Sequence, residues 1–124
     1  MPLVTATVRA PGSRELTDHL VSALTHWTVA ALDKEHDRTT VVVQYVAPGQ
    51  WARGGAPAGG FLVEARVTRG TNTRAEMAAF VREANRSLEQ ILKAPGYVLV
   101  SEIDAAAWGY AGETQATRYA RLPA

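Results

Sequence analysis

The feature that most restricts the fold of this chain is an approximate internal repeat with an offset of roughly sixty residues. The segment Trp51-Ala52-Arg53-Gly54-Gly55 resembles Trp108-Gly109-Tyr110-Ala111-Gly112. Ser13 and Thr73 occupy similar places in the two halves, and each is suited to begin a helix by accepting a backbone hydrogen bond. The repeat therefore predicts a fold in which one structural unit occurs twice.

Each half has the pattern of a strand, a helix and a second strand. Alternating segments rich in β-branched residues predict strands at residues 2–9, 39–46, 61–68 and 97–103. Apolar residues at helical spacing predict two helices between them. Their expected buried stripes are Leu16, Leu20, Leu24 and Trp27 in the first helix, and Met77, Val81, Ala84, Leu88 and Ile91 in the second. Residues 47–60, rich in glycine and proline, and the tail 104–124 are expected to be irregular.

This order of elements predicts an α/β fold made of a duplicated β-α-β unit. A helix between two strands favours parallel pairing through a right-handed crossover. We therefore expect a single domain, residues 1–124, with pseudo-repeats at 2–57 and 61–113. Its four-stranded sheet is mainly parallel or mixed and carries both helices on one face. The other face has apolar residues that need a cover, and the strand edges need partners, so association with further copies is expected.

Composition narrows the classes of partner and cofactor. The net charge is +1 with scattered basic residues, which predicts neither nucleic-acid nor membrane binding. There is no cysteine, which excludes disulfides, thiolate metal sites and cysteine nucleophiles, and suits the cytoplasm. No signal peptide and no apolar run approaching the roughly 18 residues of a membrane span is visible. The three histidines share no metal-ligand spacing, so no metal is expected.

Pro2 is the strongest candidate for a catalytic group. An initiator methionine before proline is commonly removed, which would leave a secondary amine at the start of the chain. A terminal amine has an ordinary pKa of about 7.7–8.0, and burial lowers that pKa. A neutral amine at pH 7 can act as a general base or attack a carbonyl carbon. The simpler alternative is that Pro2 is only an edge-strand proline.

Met1-Pro2, the alternating first strand, the capped helix, the Val-rich second strand and Trp51-Ala52-Arg53-Gly54-Gly55 together resemble the tautomerase superfamily. The length and duplication resemble its long members, among them cis-3-chloroacrylic acid dehalogenase and malonate semialdehyde decarboxylase. The resemblance implies a homotrimer in which three sheets close a barrel-like core with the helices outside. It also implies cofactor-independent chemistry at the amine of Pro2.

The same resemblance implies further site residues. Asp37, within His36-Asp37-Arg38, resembles the acidic catalytic residue of the decarboxylase, although a turn-forming role is the simpler reading. Trp51 and Trp108 match the aromatic residue that closes the site in short family members, or else they pack a subunit interface. The positions of the family's substrate-binding arginines hold other residues here. The nearest arginines that could replace them are Arg53, Arg66 and Arg69, with Arg74 close by.

These observations predict a tautomerase or isomerase acting on a small carbonyl, enol or unsaturated acid. The alternative reaction is hydration, coupled to dehalogenation or decarboxylation. Because the motif arginines are missing, a non-catalytic trimer that binds a partner stays open as well. A ferredoxin-like dimeric barrel that binds an apolar ligand has the same element order, but the duplicated Trp-Gly segments and Pro2 argue against it.

Overall fold

A four-stranded mixed sheet forms the framework of the computed structural model, which describes residues 1–122. Its strands are β1 Leu3–Arg9, β2 Thr40–Val46, β5 Phe61–Thr68 and β6 Tyr97–Ile103. They follow the order β2-β1-β5-β6 across the sheet. The pairs β1/β2 and β5/β6 are parallel, whereas β1 and β5 are antiparallel. The mixed sheet predicted from the duplicated unit is therefore confirmed.

Two long helices connect the strands of each parallel pair. Helix α1, Arg14–Leu32, and helix α2, Arg74–Leu92, have 19 residues each. Ser13 begins α1, because its side chain accepts a hydrogen bond from a backbone N–H one turn later. Thr73 begins α2 through a capping box with Glu76, in which each side chain accepts from the other residue's backbone N–H. Both predicted helix starts are confirmed.

Both helices cover the same face of the sheet and close one hydrophobic core. Inward residues of β1 and β5 alternate with outward ones, as a strand with one covered face requires. The core residues below 2% exposure are Val4, Ala6, Val8, Leu20, Leu24, Leu32, Phe61, Val63, Ala65, Val67, Phe80, Ala84 and Leu88. The expected stripe of α2 is wrong at one position: Val81 is 38% exposed, and Phe80 is buried instead. Phe80, Ala84 and Leu88 follow one another at a spacing of four residues, which keeps them on one face.

The segments expected to be irregular contain short hairpins. Strands β3 Ala52–Arg53 and β4 Ala56–Pro57 pair antiparallel after β2, and β7 Gly109–Tyr110 and β8 Glu113–Thr114 pair after β6. The two central turn residues have positive φ in both hairpins: 60° and 79° at Gly54 and Gly55. Positive φ at both central residues is typical of the two-residue turns that connect hairpin strands. The glycines that suggested an irregular segment are therefore the residues that allow the hairpin strands to pair.

A third helix, α3 Gln115–Arg121, follows the second hairpin directly and was also not expected from the sequence. Thr114 begins this helix by accepting a hydrogen bond from the backbone N–H of Thr117 at 3.1 Å. Each half of the chain therefore has the order strand, helix, strand and hairpin, and α3 is the addition in the second half. The exact repeat boundaries at 2–57 and 61–113 stay a prediction.

The sheet face opposite the helices is uncovered in the single chain and carries several exposed apolar side chains among polar ones. Its exposed residues include Val42, Leu62, Tyr97 and Leu99, which are 37–67% exposed. A polar network interrupts this face: the carboxylate of Glu64 accepts hydrogen bonds from Arg66 at 2.8 Å and from the Ser101 hydroxyl at 2.7 Å. Leu62, Tyr97 and Leu99 are neighbours on β5 and β6, whereas Val42 lies apart from them on β2. Adjacent exposed apolar side chains such as these three are typical of a surface that is buried in an assembly.

The burial pattern of α2 predicts that two side-chain truncations on that helix differ in their effect on the free energy of unfolding. Leu88→Ala removes fully buried atoms and should lower the free energy of unfolding by about 2–5 kcal/mol. Val81→Ala removes partly exposed atoms and should change it by less than about 0.5 kcal/mol. Urea unfolding at one fixed chain concentration measures both values. Equal losses of unfolding free energy in the two variants would contradict the observed burial pattern of α2.

Candidate active site

A cavity of about 200 Å³ surrounds the start of the chain, beside the first residue of β1. Pro2 is buried there, and its carbonyl accepts a hydrogen bond from the backbone N–H of Thr40 at 3.2 Å. Residues from three other places complete the wall: the turn after α1, the end of β5, and α3. We call this the N-terminal cavity; its lining residues are Met1, Pro2, Asp33, Lys34, Glu35, Arg38, Val67, Thr68, Gln115, Arg118, Tyr119 and Leu122.

The end of α1 brings charged side chains to this cavity. Asp33 adopts the left-handed conformation, with φ of 54°, and so ends the helix and turns the chain. The next residue, Lys34, donates a hydrogen bond from Nζ to the hydroxyl of Thr71 at 2.9 Å. Arg38 is paired with Glu35 at 2.8 Å. The segment after α1 therefore brings two cations and two carboxylates to the cavity lining.

These surroundings disfavour a positive charge on the terminal amine. Burial lowers the pKa of the Met1 amine below its ordinary 8.0, and the positive charges of Lys34 and Arg38 lower that pKa further. The carboxylate of Glu35 acts in the opposite direction. Burial also lowers the pKa of Lys34, against opposing effects of Glu76 and Asp33. The site therefore favours a neutral amine at the start of the chain.

The remaining wall offers neutral polar groups. Thr68 is 4% exposed, and its hydroxyl is buried with no hydrogen-bond partner in residues 1–122. Gln115, at the first turn of α3, is 2% exposed. An adjoining cavity of about 240 Å³ shares Met1, Gln115 and Arg118 with the N-terminal cavity and is otherwise lined by the β7–β8 hairpin. Gln115 and Arg118 were missed by sequence reasoning; Thr114 as a helix cap was the signal that could have placed them on a helix.

Several residues proposed from the sequence lie outside the N-terminal cavity. The Asp37 side chain is 97% exposed and contacts the His36 ring at 3.0 Å. Arg66 lies on the open sheet face, paired with Glu64. Arg69 is exposed beyond the end of β5. None of these three lines the cavity in the single chain, and their catalytic or binding roles stay predictions.

The two tryptophans lie at different ends of the sheet. Trp51 lines a second cavity, of about 400 Å³, together with Arg53 and residues around the start of β5. Trp108 precedes the other hairpin, and its carbonyl accepts a hydrogen bond from the backbone N–H of Gln115 at 2.7 Å. The structure therefore connects Trp108 to the N-terminal cavity through α3, whereas Trp51 and Arg53 belong to the second cavity.

Two further features of the described chain bear on its chemistry. Among residues 1–122, no three histidine, aspartate or glutamate side chains lie close enough together to hold a metal ion. Over the same range, no helix is both long and apolar enough to cross a membrane.

The duplicated fold, with Pro2 buried in a cavity at the start of the first strand, is tautomerase-like. Residues 2–59, nearly half of the chain, match the family model described as "Tautomerase enzyme". A fused 4-OT described as a wild-type asymmetric trimer is 18% identical with a TM-score of 0.86, over 97% of this chain and 99% of that one.

Two other solved structures are similar. Pt0534, described as inactivated by 2-oxo-3-pentynoate, is 16% identical with a TM-score of 0.85, over 92% of this chain and 97% of that one. Macrophage migration inhibitory factor of Toxoplasma gondii is 14% identical with a TM-score of 0.78, over 90% and 98%. No curated protein matches the sequence. At these identities the structures support the fold alone.

The electrostatics of the cavity predict how one substitution changes the terminal amine. Lys34→Met removes a cation near the amine, so the pKa of the Met1 amine should rise toward 8.0. The pH dependence of selective acylation of the amine measures this pKa in the chain that retains Met1. Lys93→Met is the matched control, because Lys93 ends the other long helix and does not line this cavity. Equal shifts in both variants would contradict the local effect of Lys34.

Proposed function

We propose that this protein is a cofactor-independent tautomerase in which the amine of Pro2 moves a proton on a small carbonyl, enol or unsaturated acid. The observation that carries the proposal is the position of Pro2. It is buried at the start of β1, in a cavity whose surroundings lower the pKa of a terminal amine. A neutral amine can accept a proton, which is the property a general base needs near pH 7.

The proposal requires removal of Met1, since the nitrogen of Pro2 is otherwise an amide without basicity. Met1 lines both the N-terminal cavity and the adjoining cavity. Its removal would therefore expose the proline amine and free space next to both cavities. A small acid with a short side chain suits a site of this size. Desolvation and the cations of Lys34 and Arg38 would then act on the Pro2 amine instead.

The cavity lining carries three cations, Lys34, Arg38 and Arg118, against the two carboxylates of Asp33 and Glu35. The excess of positive charge favours an anionic substrate, because an arginine or lysine side chain can hold a carboxylate. These residues supply cations in place of the motif arginines that the sequence lacks. The hydroxyl of Thr68 and the amide of Gln115 are polar groups that could orient a carbonyl oxygen. Val67 and Leu122 offer apolar contact for the rest of the substrate.

In the proposed reaction the amine of Pro2 takes a proton from one atom of the enol or keto acid and returns it at another. For an enol, the hydroxyl proton passes to the amine, the C=C electrons take up a proton at carbon, and the ketone forms. The protonated amine is the transient carrier, so the reaction needs no net acid or base. Nearby cations stabilise the anionic intermediate.

Hydration with dehalogenation or decarboxylation is the second candidate reaction. It would need an acidic group to activate water or polarise the substrate. Asp37, proposed from the sequence for this role, is exposed and outside the N-terminal cavity, whereas Asp33 and Glu35 line that cavity. The geometry therefore gives this chemistry less support through Asp37 than simple proton transfer has through Pro2 alone.

The catalytic proposal predicts that activity depends on a free Pro2 amine. Keto–enol conversion of phenylpyruvate, followed by ultraviolet absorbance, should fall at least about 100-fold when Met1 is retained, because a general base contributes about 10²–10⁴ in rate. For the chain starting at Pro2, kcat/KM should rise with pH through one ionisation below about 7.7–8.0. Intact mass establishes which chain is being assayed.

Two variants sharpen this experiment. Pro2→Ala in the processed chain leaves a primary amine and should retain part of the activity. Lys34→Met should move the ionisation to higher pH, because the neutral amine then forms only at higher pH. Unchanged turnover with Met1 retained would remove Pro2 from the mechanism and favour a non-catalytic binding protein.

We further propose that the protein is a cytoplasmic homotrimer. The exposed apolar side chains of Val42, Leu62 and Leu99 support association through the open sheet face. Closed symmetry buries such a face without leaving a free edge. A similar fold is described as a trimer in fused 4-OT. A small molecule, rather than nucleic acid or membrane, is the proposed partner.

The trimer makes a direct prediction for solution mass. Light scattering in dilute buffer should give three times the 13.3 kDa chain mass. Leu99→Glu places a charge on the exposed sheet face and should shift the protein toward smaller species. Val81→Glu, on the exposed part of α2, is the control and should keep the mass of the unmodified protein. A monomer at micromolar concentration in the unmodified protein would contradict the prediction.

A further inference from the structure

The second cavity lies at the other end of the sheet from Pro2 and takes no part in the proposed reaction. It has a volume of about 400 Å³, twice that of the N-terminal cavity. Its wall combines two aromatic side chains, a cation and backbone from glycines and a proline. Side chains that line it include Trp51, Arg53, Leu62, Pro95 and Tyr97. Leu62 and Tyr97 also belong to the open sheet face, so the cavity borders the surface proposed for the trimer.

The two cavities are built from corresponding elements of the duplicated fold. The N-terminal cavity lies where β1 starts and α1 has ended, beside α3 and, through the adjoining cavity, the β7–β8 hairpin. The second cavity lies where β5 starts and α2 has ended, under the β3–β4 hairpin. The first residue of β5 is Phe61, which is fully buried in the middle of the chain. The second cavity therefore has the same architecture but no terminal amine.

A buried polar group without a partner accompanies each cavity. Thr68, the last residue of β5, has an unpartnered hydroxyl beside the N-terminal cavity. Arg9, the last residue of β1, has a buried Nε with no hydrogen-bond partner in residues 1–122. The guanidinium of Arg9 packs against Gly59, where a Cβ would be only 2.9 Å from one of its nitrogens. Gly59 lines the second cavity, so Arg9 adds positive charge directly behind that wall.

The lining of the second cavity favours an anion with a flat apolar group. It includes no carboxylate, and Arg53 forms no ion pair within residues 1–122. The indole of Trp51 lies close to the backbone of Gly60, where a Cβ would be 3.4 Å from Cζ2 and 2.9 Å from the carbonyl oxygen of Pro95. An aromatic surface can stack against a planar ligand, and an arginine can hold a carboxylate with two hydrogen bonds.

We infer that the second cavity is a binding site for a small planar carboxylate, separate from the Pro2 site and without catalytic activity. Arg53 holds the carboxylate, and Trp51 and Tyr97 contact the planar part of the ligand. Arg9 contributes positive charge from behind the glycine wall. The duplicated fold thus has one proposed catalytic site, with a terminal amine, and one site that only binds a carboxylate ligand.

Benzoate is a suitable probe, and the chain with Met1 retained is a suitable protein, because its Pro2 amine is blocked. Calorimetry should show benzoate binding, and NMR should show a shift of the Trp51 indole N–H. Arg53→Gln and Trp51→Ala should each weaken binding about tenfold or more, equivalent to about 1.4 kcal/mol. Benzyl alcohol, which lacks the charge, should bind at least about tenfold more weakly than benzoate.

Arg74→Gln is the matched control, because Arg74 is an exposed arginine at the start of α2 and lies outside the second cavity. It should leave benzoate affinity unchanged. The inference is overturned if benzoate does not bind, if binding survives Arg53→Gln, or if Arg53→Gln changes the oligomeric mass in place of ligand binding. The last result would make the cavity a subunit contact. Since no turnover is measured, failure of the Pro2 proposal leaves this test intact.

Discussion

The antiparallel pairing of β1 with β5 is the interaction on which the rest of this structure depends. It joins the two β-α-β units into one sheet and sets the start of each strand beside the end of the other. Leu3 pairs with Arg66 at one end of the ladder, and Val8 pairs with Phe61 at the other. The inward residues of both strands form the centre of the core, so burial of apolar surface fixes the register: a slip of one residue would turn those side chains outward. Both cavities are consequences of this arrangement, because each lies where a strand starts next to its partner's end.

The N-terminal cavity and the second cavity have the same backbone architecture but different chemical surroundings. At one end, the first strand begins at the start of the chain, next to Pro2, and the neighbouring turn supplies Lys34 and Arg38. At the other end, the corresponding strand begins in mid-chain with a buried phenylalanine, and Gly60 brings Trp51 close to the backbone. Only the first environment can contain a terminal amine. The proposed chemistry of the Pro2 amine would therefore be confined to one half of the fold, while the second half has a cavity at the corresponding place.

Electrostatics and local backbone geometry act together at the N-terminal cavity. The left-handed residue that ends α1 also determines where Lys34 is placed, and Lys34 in turn lowers the pKa of the amine. Burial has the largest single effect on that pKa, ahead of the charges of Lys34 and Arg38. The wall depends on α3, whose buried Gln115 is fixed through the carbonyl of Trp108. A short helix near the end of the chain thus helps set the solvation of a group at its beginning.

The sequence by itself determined the four main strands, the two long helices and their caps, and the duplicated order, because these follow from local periodicity and from side chains such as Ser13 and Thr73 that bond to nearby backbone. It also singled out Pro2. It did not reveal the two hairpins, because the glycines that permit their turns also signal irregular chain, and it missed the helix after Thr114, where short polar segments carry little periodicity. Only the tertiary structure decided which residues share a cavity: it brought Lys34, Thr68 and Gln115 to Pro2, and it placed Trp51 and Arg53 at the opposite end of the sheet. The physical reason is that these groupings arise from the antiparallel pairing of β1 and β5, a contact between distant segments that local patterns of sequence do not encode.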